Sequence, residues 1–163
     1  MAPTCTSTGA SGRRVSEKTL RHLLRTHELP RIGGREWYFC PDPGCDIVYF
    51  TADGETLSTD ALTVRVGLKE GALPRPLCYC FAYDFEDVER EASLSEESAI
   101  AATITEKCRL GLDRCEETNP QGSCCLGNVR RVFHEARRGQ APAAPEGGDE
   151  QDCCSSGRRK EAL

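Results

Sequence analysis

The cysteines constrain this chain more than any other feature. There are eleven in 163 residues, and most of them come in groups. The groups are Cys40-Pro41-Asp42-Pro43-Gly44-Cys45, Cys78-Tyr79-Cys80, Cys115 with Cys124-Cys125, and Cys153-Cys154, while Cys5 and Cys108 stand alone. Hydrophobic residues make up 38% and aromatics only 6%, a thin supply for two cores. Small domains with thin cores are commonly held by metals or disulfides. The N-terminal stretch has no apolar segment of signal-peptide type, so a cytoplasmic chain is expected. In that reducing compartment, grouped cysteines read as metal ligands rather than disulfides. No apolar run approaches the length of a membrane span, so no membrane insertion is expected. The net charge is -5 and the basic residues are dispersed, so nothing points to nucleic acid as a partner.

The pattern predicts an α+β chain. Ser16 to Arg25 reads as a helix, N-capped by Ser16, with Leu20, Leu23 and Leu24 on one face. Glu28-Leu29-Pro30 and Ile32-Gly33-Gly34 read as its stop and a turn. Two aromatic and β-branched runs, Glu36–Cys40 and Asp46–Phe50, flank Pro41-Asp42-Pro43-Gly44 and predict a hairpin whose turn carries cysteines. Asp53-Gly54 suggests a further turn, and Leu62 to Val66 alternates like a half-buried strand. Beyond residues 69–77 the pattern changes. Helices are expected from Asp84 to Glu91, from Ser95 to Leu110, and over Leu126, Val129, Val132 and Phe133. Cys108 falls on the apolar face of the second of these and reads as a buried thiol. The division is a zinc-bound, β-rich segment over 1–72, a mostly helical segment over 73–136, and a disordered tail over 137–163 rich in Ala, Pro, Gly and Glu.

Four residues separate Cys40 and Cys45, a loop short enough for both sulfurs to reach one tetrahedral ion at about 2.3 Å each. Two thiolates leave the site incomplete. Cys5, Asp46, His22 and His27 are the candidates for the rest. The second set is Cys78, Cys80, Cys115 and one of Cys124 or Cys125. A two-iron cluster needs four thiolates, two per iron. On this reading Cys78 and Cys80 serve one iron, and Cys115 with Cys124 or Cys125 serves the other. The last helix would begin at the final cysteine and turn its N-terminal dipole toward an anionic cluster. The rivals are a second zinc ion and plain buried thiols. On the tail, Cys153 and Cys154 can present two soft thiolates to Cu(I) or Hg(II).

With both groups placed, the chain resembles the N-terminal region of the CopZ-type iron–sulfur metallochaperones. The matching stretches are Tyr38-Phe39-Cys40-Pro41, Cys45-Asp46-Ile47-Val48-Tyr49-Phe50, Val64-Arg65-Val66-Gly67-Leu68-Lys69 and Pro76-Leu77-Cys78-Tyr79-Cys80-Phe81. They continue through Ile104-Thr105-Glu106-Lys107, Arg114-Cys115-Glu116 and Asn119-Pro120-Gln121-Gly122-Ser123-Cys124-Cys125-Leu126-Gly127-Asn128-Val129. The resemblance implies zinc at Cys5, Cys40 and Cys45 with Asp46 as fourth ligand. It also implies a [2Fe-2S] cluster at Cys78, Cys80, Cys115 and Cys124 or Cys125, in a segment similar to bacterioferritin-associated ferredoxin, with the helix register favouring Cys125. There are two departures. Relatives often carry a second cysteine soon after the first, where this chain has Thr6-Ser7-Thr8-Gly9. They also continue into a heavy-metal-associated domain with a Met-x-Cys-x-x-Cys loop, a motif absent here.

The function expected is soft-metal handling: a metallochaperone-like protein with copper or mercury as cargo, a cluster for redox work, and a metal transporter or reductase as partner. The alternatives are a ferredoxin-like electron-transfer protein and a non-redox module with two zinc ions. No enzyme is expected. His22, His27 and His134 lie on predicted helices without a nucleophile or a carboxylate pattern beside them.

Overall fold

The structure, a computed structural model, describes residues 1–139. Cys153 and Cys154 lie outside the described residues. The architecture is α+β. A four-stranded antiparallel sheet runs in sequential order β1 (Arg13–Val15), β2 (Trp37–Phe39), β3 (Ile47–Thr51) and β4 (Thr56–Ser58). Helix α1 (Glu17–Leu23) follows β1 and is N-capped by Ser16, whose hydroxyl accepts from the Thr19 amide at 3.2 Å. A short hairpin of β5 (Pro76–Cys78) and β6 (Tyr83–Asp84) leads into helices α2 (Phe85–Leu94), α3 (Ala99–Arg109), α4 (Cys115–Thr118) and α5 (Leu126–Arg137).

Alternation on β2 and β3 sorts the side chains of the sheet. Trp37, Phe39 and Tyr49 enter one core with Val15, Leu20, Leu24, Ile32, Leu57, Leu62 and Val66. Tyr38 and Phe50, paired across the two strands with ring centroids 5.9 Å apart, face the other way. The N-terminal segment crosses that second face. A Cβ on Gly12 would stand 2.5 Å from Phe50 and 2.7 Å from Tyr38, so only glycine lets the backbone lie flat on the rings. The helical core joins Leu77, Phe85, Val88, Ile104, Val129, Val132 and Phe133. Cys108 lies within it, 2% exposed.

Four expectations are corrected. Leu62 to Val66 alternates as predicted but forms no strand: its one ladder contact is an isolated bridge from Leu62 to Leu24. A side chain replaces the missing neighbour strand. The Tyr79 hydroxyl donates to the Arg65 carbonyl at 2.6 Å and accepts from the Gly67 amide at 3.0 Å. The stop at Glu28-Leu29-Pro30 is a 3-10 helix over Thr26–Arg31 rather than a simple turn. Helix α3 begins at Ala99, not Ser95. The Ser95 amide closes α2 by donating to the Glu91 carbonyl at 2.9 Å, and Ser98 caps α3. Arg137, counted with the tail on composition, ends α5 and donates to the Ser95 carbonyl at 2.5 Å.

The two cores press against each other. A Cβ on Gly67 would fall 1.7 Å from the Pro76 carbonyl oxygen, so the backbones touch there. Thr19 Oγ1 donates to the Glu116 carbonyl at 2.6 Å, Arg13 donates to Ser123 Oγ at 2.9 Å, and the buried Tyr49 hydroxyl donates to the Pro120 carbonyl at 2.6 Å.

Candidate metal centres

The first group forms at one end of the sheet. Cys40 leaves β2 with its amide still donating to the Val48 carbonyl at 2.9 Å. The Asp42 carboxylate accepts from the Gly44 amide at 2.8 Å, an Asx turn that folds Pro41–Gly44 and returns Cys45 to the same spot. Cys5 arrives from a small loop rather than through α1. Thr4 and Ser11 bridge, the Cys5 amide donates to the Ala10 carbonyl at 2.8 Å, and Gly12 holds the loop against Phe50. The result is three buried thiols, Cys5, Cys40 and Cys45, whose sulfurs all lie within 4.8 Å of one another.

These residues fit a thiophilic ion. Zinc–sulfur bonds of about 2.3 Å at tetrahedral angles imply sulfur–sulfur edges of about 3.8 Å. Cys5 Sγ and Cys45 Sγ stand 3.8 Å apart. Burial pushes the Cys40 thiol up to about 11, so ionising it calls for a positive charge nearby. Burial also opposes ionisation of Cys5, but the amides of Ser7 and Thr8 reverse the sign and lower it. Lys69 supplies a positive charge, although burial lowers its pKa against the pull of the neighbouring thiols and Asp42. Its ammonium donates to the carbonyls of Asp42 and Cys45 at 2.7 and 3.1 Å, beneath the turn that carries both ligands. Asp46, the expected fourth ligand, is exposed and its carboxylate lies outside the group. Its carbonyl accepts from the Thr59 amide at 3.1 Å, which aims β3 rather than a ligand. His22 and His27 are exposed and outside the thiol group; His22 Nδ1 lies 2.8 Å from the Lys18 carbonyl and His27 Nε2 lies 3.4 Å from Glu28.

The second group gathers where β5, α4 and α5 meet. Cys80 Sγ and Cys115 Sγ are 3.2 Å apart. Cys78 pairs with Cys125, and Cys124 touches both Cys115 and Cys125. The close pairs therefore run across the two segments, 80 with 115 and 78 with 125, rather than within Cys78-Tyr79-Cys80. The reason is backbone direction: Cys78 ends β5 while Cys80 already lies in the turn before β6. Hydrogen bonding from Cys115, then Thr118 and the Arg114 amide, lowers the Cys80 thiol to about 6. Cys115 and Cys125 are pushed up, because each acts as donor to neighbouring sulfurs. The group thus carries polarised sulfurs in a half-buried pocket, the environment that favours metal or cluster capture.

A buried polar network shapes the loop between Cys115 and Cys125. Asn119 Nδ2 donates to the Ser123 carbonyl at 2.8 Å, Gln121 Nε2 to the Cys124 carbonyl at 3.1 Å, and Asn128 Nδ2 to Gln121 Oε1 at 2.8 Å. All three side chains are buried and satisfied, which holds the loop to one conformation. Helix α5 starts immediately after Cys125, with the Leu126 amide 3.5 Å from Cys124 Sγ. Sequence reasoning missed Thr8, Lys69, Tyr49 and Thr118. Lys69 carried only a weak signal, a lysine after Val66-Gly67-Leu68 in a stretch that also holds Arg65 and Glu70. Thr118 and Tyr49 carried none.

An α+β chain with a buried three-thiol group beside a hairpin turn defines a class, that of small metal–thiolate proteins. The comparisons agree. Residues 2–63 match the zf_CopZ family, described as a zinc binding domain. The copper chaperone CopZ of Archaeoglobus fulgidus is 30% identical over 129 residues, covering 78% of this chain. The chain spans 60% of the length of that curated relative. The crystal structure of the A. fulgidus CopZ N-terminal domain is similar in fold, with a TM-score of 0.63 and 26% identity over 85% of this chain and 98% of that one. The N-terminal region of this chain is thus CopZ-like. No helix among the described residues is long and apolar enough to cross a membrane.

Proposed function

We propose that this chain is a metallochaperone-like protein that handles a soft metal, with zinc at Cys5, Cys40 and Cys45 and a [2Fe-2S] cluster at Cys78, Cys80, Cys115 and Cys125. The observation that carries the reading is the buried triangle of thiols, all within 4.8 Å, on the segment that matches a zinc binding domain. The cluster assignment draws support from the two cross-paired thiol contacts and the satisfied Asn119–Gln121–Asn128 network around them. A cluster held there would supply one electron, the amount that converts Cu(II) to Cu(I), with a partner reductase to reload it. This chain's own residues order the site. Thr118 and the Arg114 amide hold Cys80, and Gln121 holds the Cys124 carbonyl. The helical segment is read as similar to bacterioferritin-associated ferredoxin. Cargo and transporter partner follow from the likeness to a copper chaperone.

Anaerobic purification with a visible spectrum and iron, sulfide and zinc analysis tests the proposal. A red-brown protein with equal iron and sulfide plus zinc is the expected result. A colourless protein that stays colourless after reconstitution with iron and sulfide leaves the non-redox zinc module. A coloured protein that neither binds Cu(I) nor reduces Cu(II) leaves a ferredoxin-like electron carrier.

A further inference from the structure

Three thiolates fill three corners of a tetrahedron, and the side chain beside them on the loop that carries Cys5 is Thr8, whose Oγ1 lies 3.9 Å from Cys40 Sγ. The loop is built to put it there. The Gly9 amide donates to the Cys5 carbonyl at 2.7 Å, Gly9 takes a φ of +73°, and the amides of Ser7 and Thr8 point at the Cys5 sulfur. The turn wraps the metal edge of Cys5 and delivers the side chain three residues on. Cys5, Cys40 and Cys45 are 1%, 0% and 4% exposed, whereas Thr8 is exposed. The edge of the group beside Thr8 therefore borders solvent. A neutral threonine hydroxyl is also a poor ligand for a thiophilic ion.

We propose that Cys5, Cys40 and Cys45 form a three-thiolate site whose fourth corner, beside Thr8, is open and takes an exchangeable ligand: water at rest and the thiolate of a soluble thiol when one is present. This rests on the zinc reading of the site. Zinc sites with three protein ligands and one open position exchange that fourth ligand, whereas closed four-thiolate sites are structural. Lys69 completes the device. Three thiolates around a divalent ion leave one net negative charge, and the Lys69 ammonium sits under the loop that bears two of them. A fourth, incoming thiolate adds a further negative charge, which that ammonium offsets in part.

Zinc-edge X-ray absorption on the iron-loaded full chain, purified without thiols, reads the sulfur count directly. The expected result is three sulfurs and one oxygen, rising to four sulfurs with excess 2-mercaptoethanol. Thr8→Cys is expected to show four sulfurs without added thiol and to release zinc to a chromogenic chelator at least about tenfold more slowly, the scale on which single ligand-sphere changes act. Asp46→Asn is expected to match the unsubstituted chain. A sulfur count that stays at three in excess thiol, with Asp46→Asn altering the zinc edge, overturns the open corner and puts Asp46 in it. A chain that retains no zinc overturns the zinc reading itself, so the two failures are distinct. If Thr8→Cys does not fold, the thiol titration of the unsubstituted chain still decides.

Discussion

The two thiol groups are built on opposite principles. The first hangs on two tight turns at one end of a sheet, and its own small cluster holds Cys5, Cys40, Cys45 and Phe50. Local hydrogen bonds place every ligand: the Cys40 amide to the Val48 carbonyl, the Gly44 amide to the Asp42 carboxylate and the Cys5 amide to the Ala10 carbonyl. The second is woven into the helical core, where Cys78 and Cys125 pack with Phe85, Val88 and Val129. Its loop is held by buried side chains of its own half and by Tyr49, Thr19 and Arg13 of the other. A site made of turns can form wherever the turns form. A site made of tertiary contacts exists only when both cores are assembled. The first centre should therefore tolerate damage to the second, while the second should feel damage to the first.

The largest effect tests that asymmetry. Cys40→Ser removes one of only three thiol ligands and is expected to strip zinc from the chain, with a loss of stability because metal binding is coupled to folding. If the second group holds the proposed cluster, its absorbance should fall too, because Tyr49 lies opposite Phe39, the last residue of β2 before Cys40. The reciprocal change, Cys115→Ser, should abolish the colour of the proposed cluster and leave zinc content unchanged. Metal analysis of the two variants side by side checks both directions.

Next in size is Phe133→Ala. Its ring is 2% exposed in the helical core, and removal is expected to cost about 3–5 kcal/mol. If the cores are one cooperative unit, calorimetry shows a single transition shifted down; two transitions would break the claimed dependence of the second centre on the first. Gly67→Ala attacks the contact between the halves. Its Cβ would need the Pro76 backbone to withdraw, and overpacking of this kind costs about 1–3 kcal/mol. Denaturant unfolding measures it, with zinc content expected to persist.

Tyr49→Phe is the sharpest probe of the coupling. Deleting the hydroxyl strands the Pro120 carbonyl at a buried position, at a cost of about 1–3 kcal/mol. It should also alter the visible spectrum or potential of the second centre while zinc stays at its full level. The smallest effect is Ser98→Ala, which removes the N-cap of α3, remote from both thiol groups, and should cost about 1 kcal/mol with no spectral change.

Much of the first centre was legible in the chain. The spacing of Cys40 and Cys45, the Pro-Asp-Pro-Gly turn and the flanking aromatic runs are short-range features, and short-range features survive in sequence. What stands beside the three thiols was not legible. Asp46 is adjacent to Cys45 in sequence, yet it sits in the bend before β3, exposed and with its carboxylate outside the thiol group. The segment from Leu62 to Val66 also misled. Its alternation reports burial of one face, and a tyrosine hydroxyl can satisfy the backbone as well as a neighbouring strand does.

The helices of the second half were readable from capping residues and apolar spacing. Asp84 and Asp87 form the capping box of α2, and the Asp84 amide donates to Asp87 Oδ2 at 3.0 Å. The pairing of sulfurs was not readable, because Cys80 meets Cys115 across 34 intervening residues whose path depends on how α2 and α3 pack. Turns, caps and ligand types are set by neighbours in the chain, where a few residues decide φ and ψ. Which cysteines face each other, what stands at the fourth corner and how one half supports the other are set by packing, where side chains distant in sequence compete for the same space.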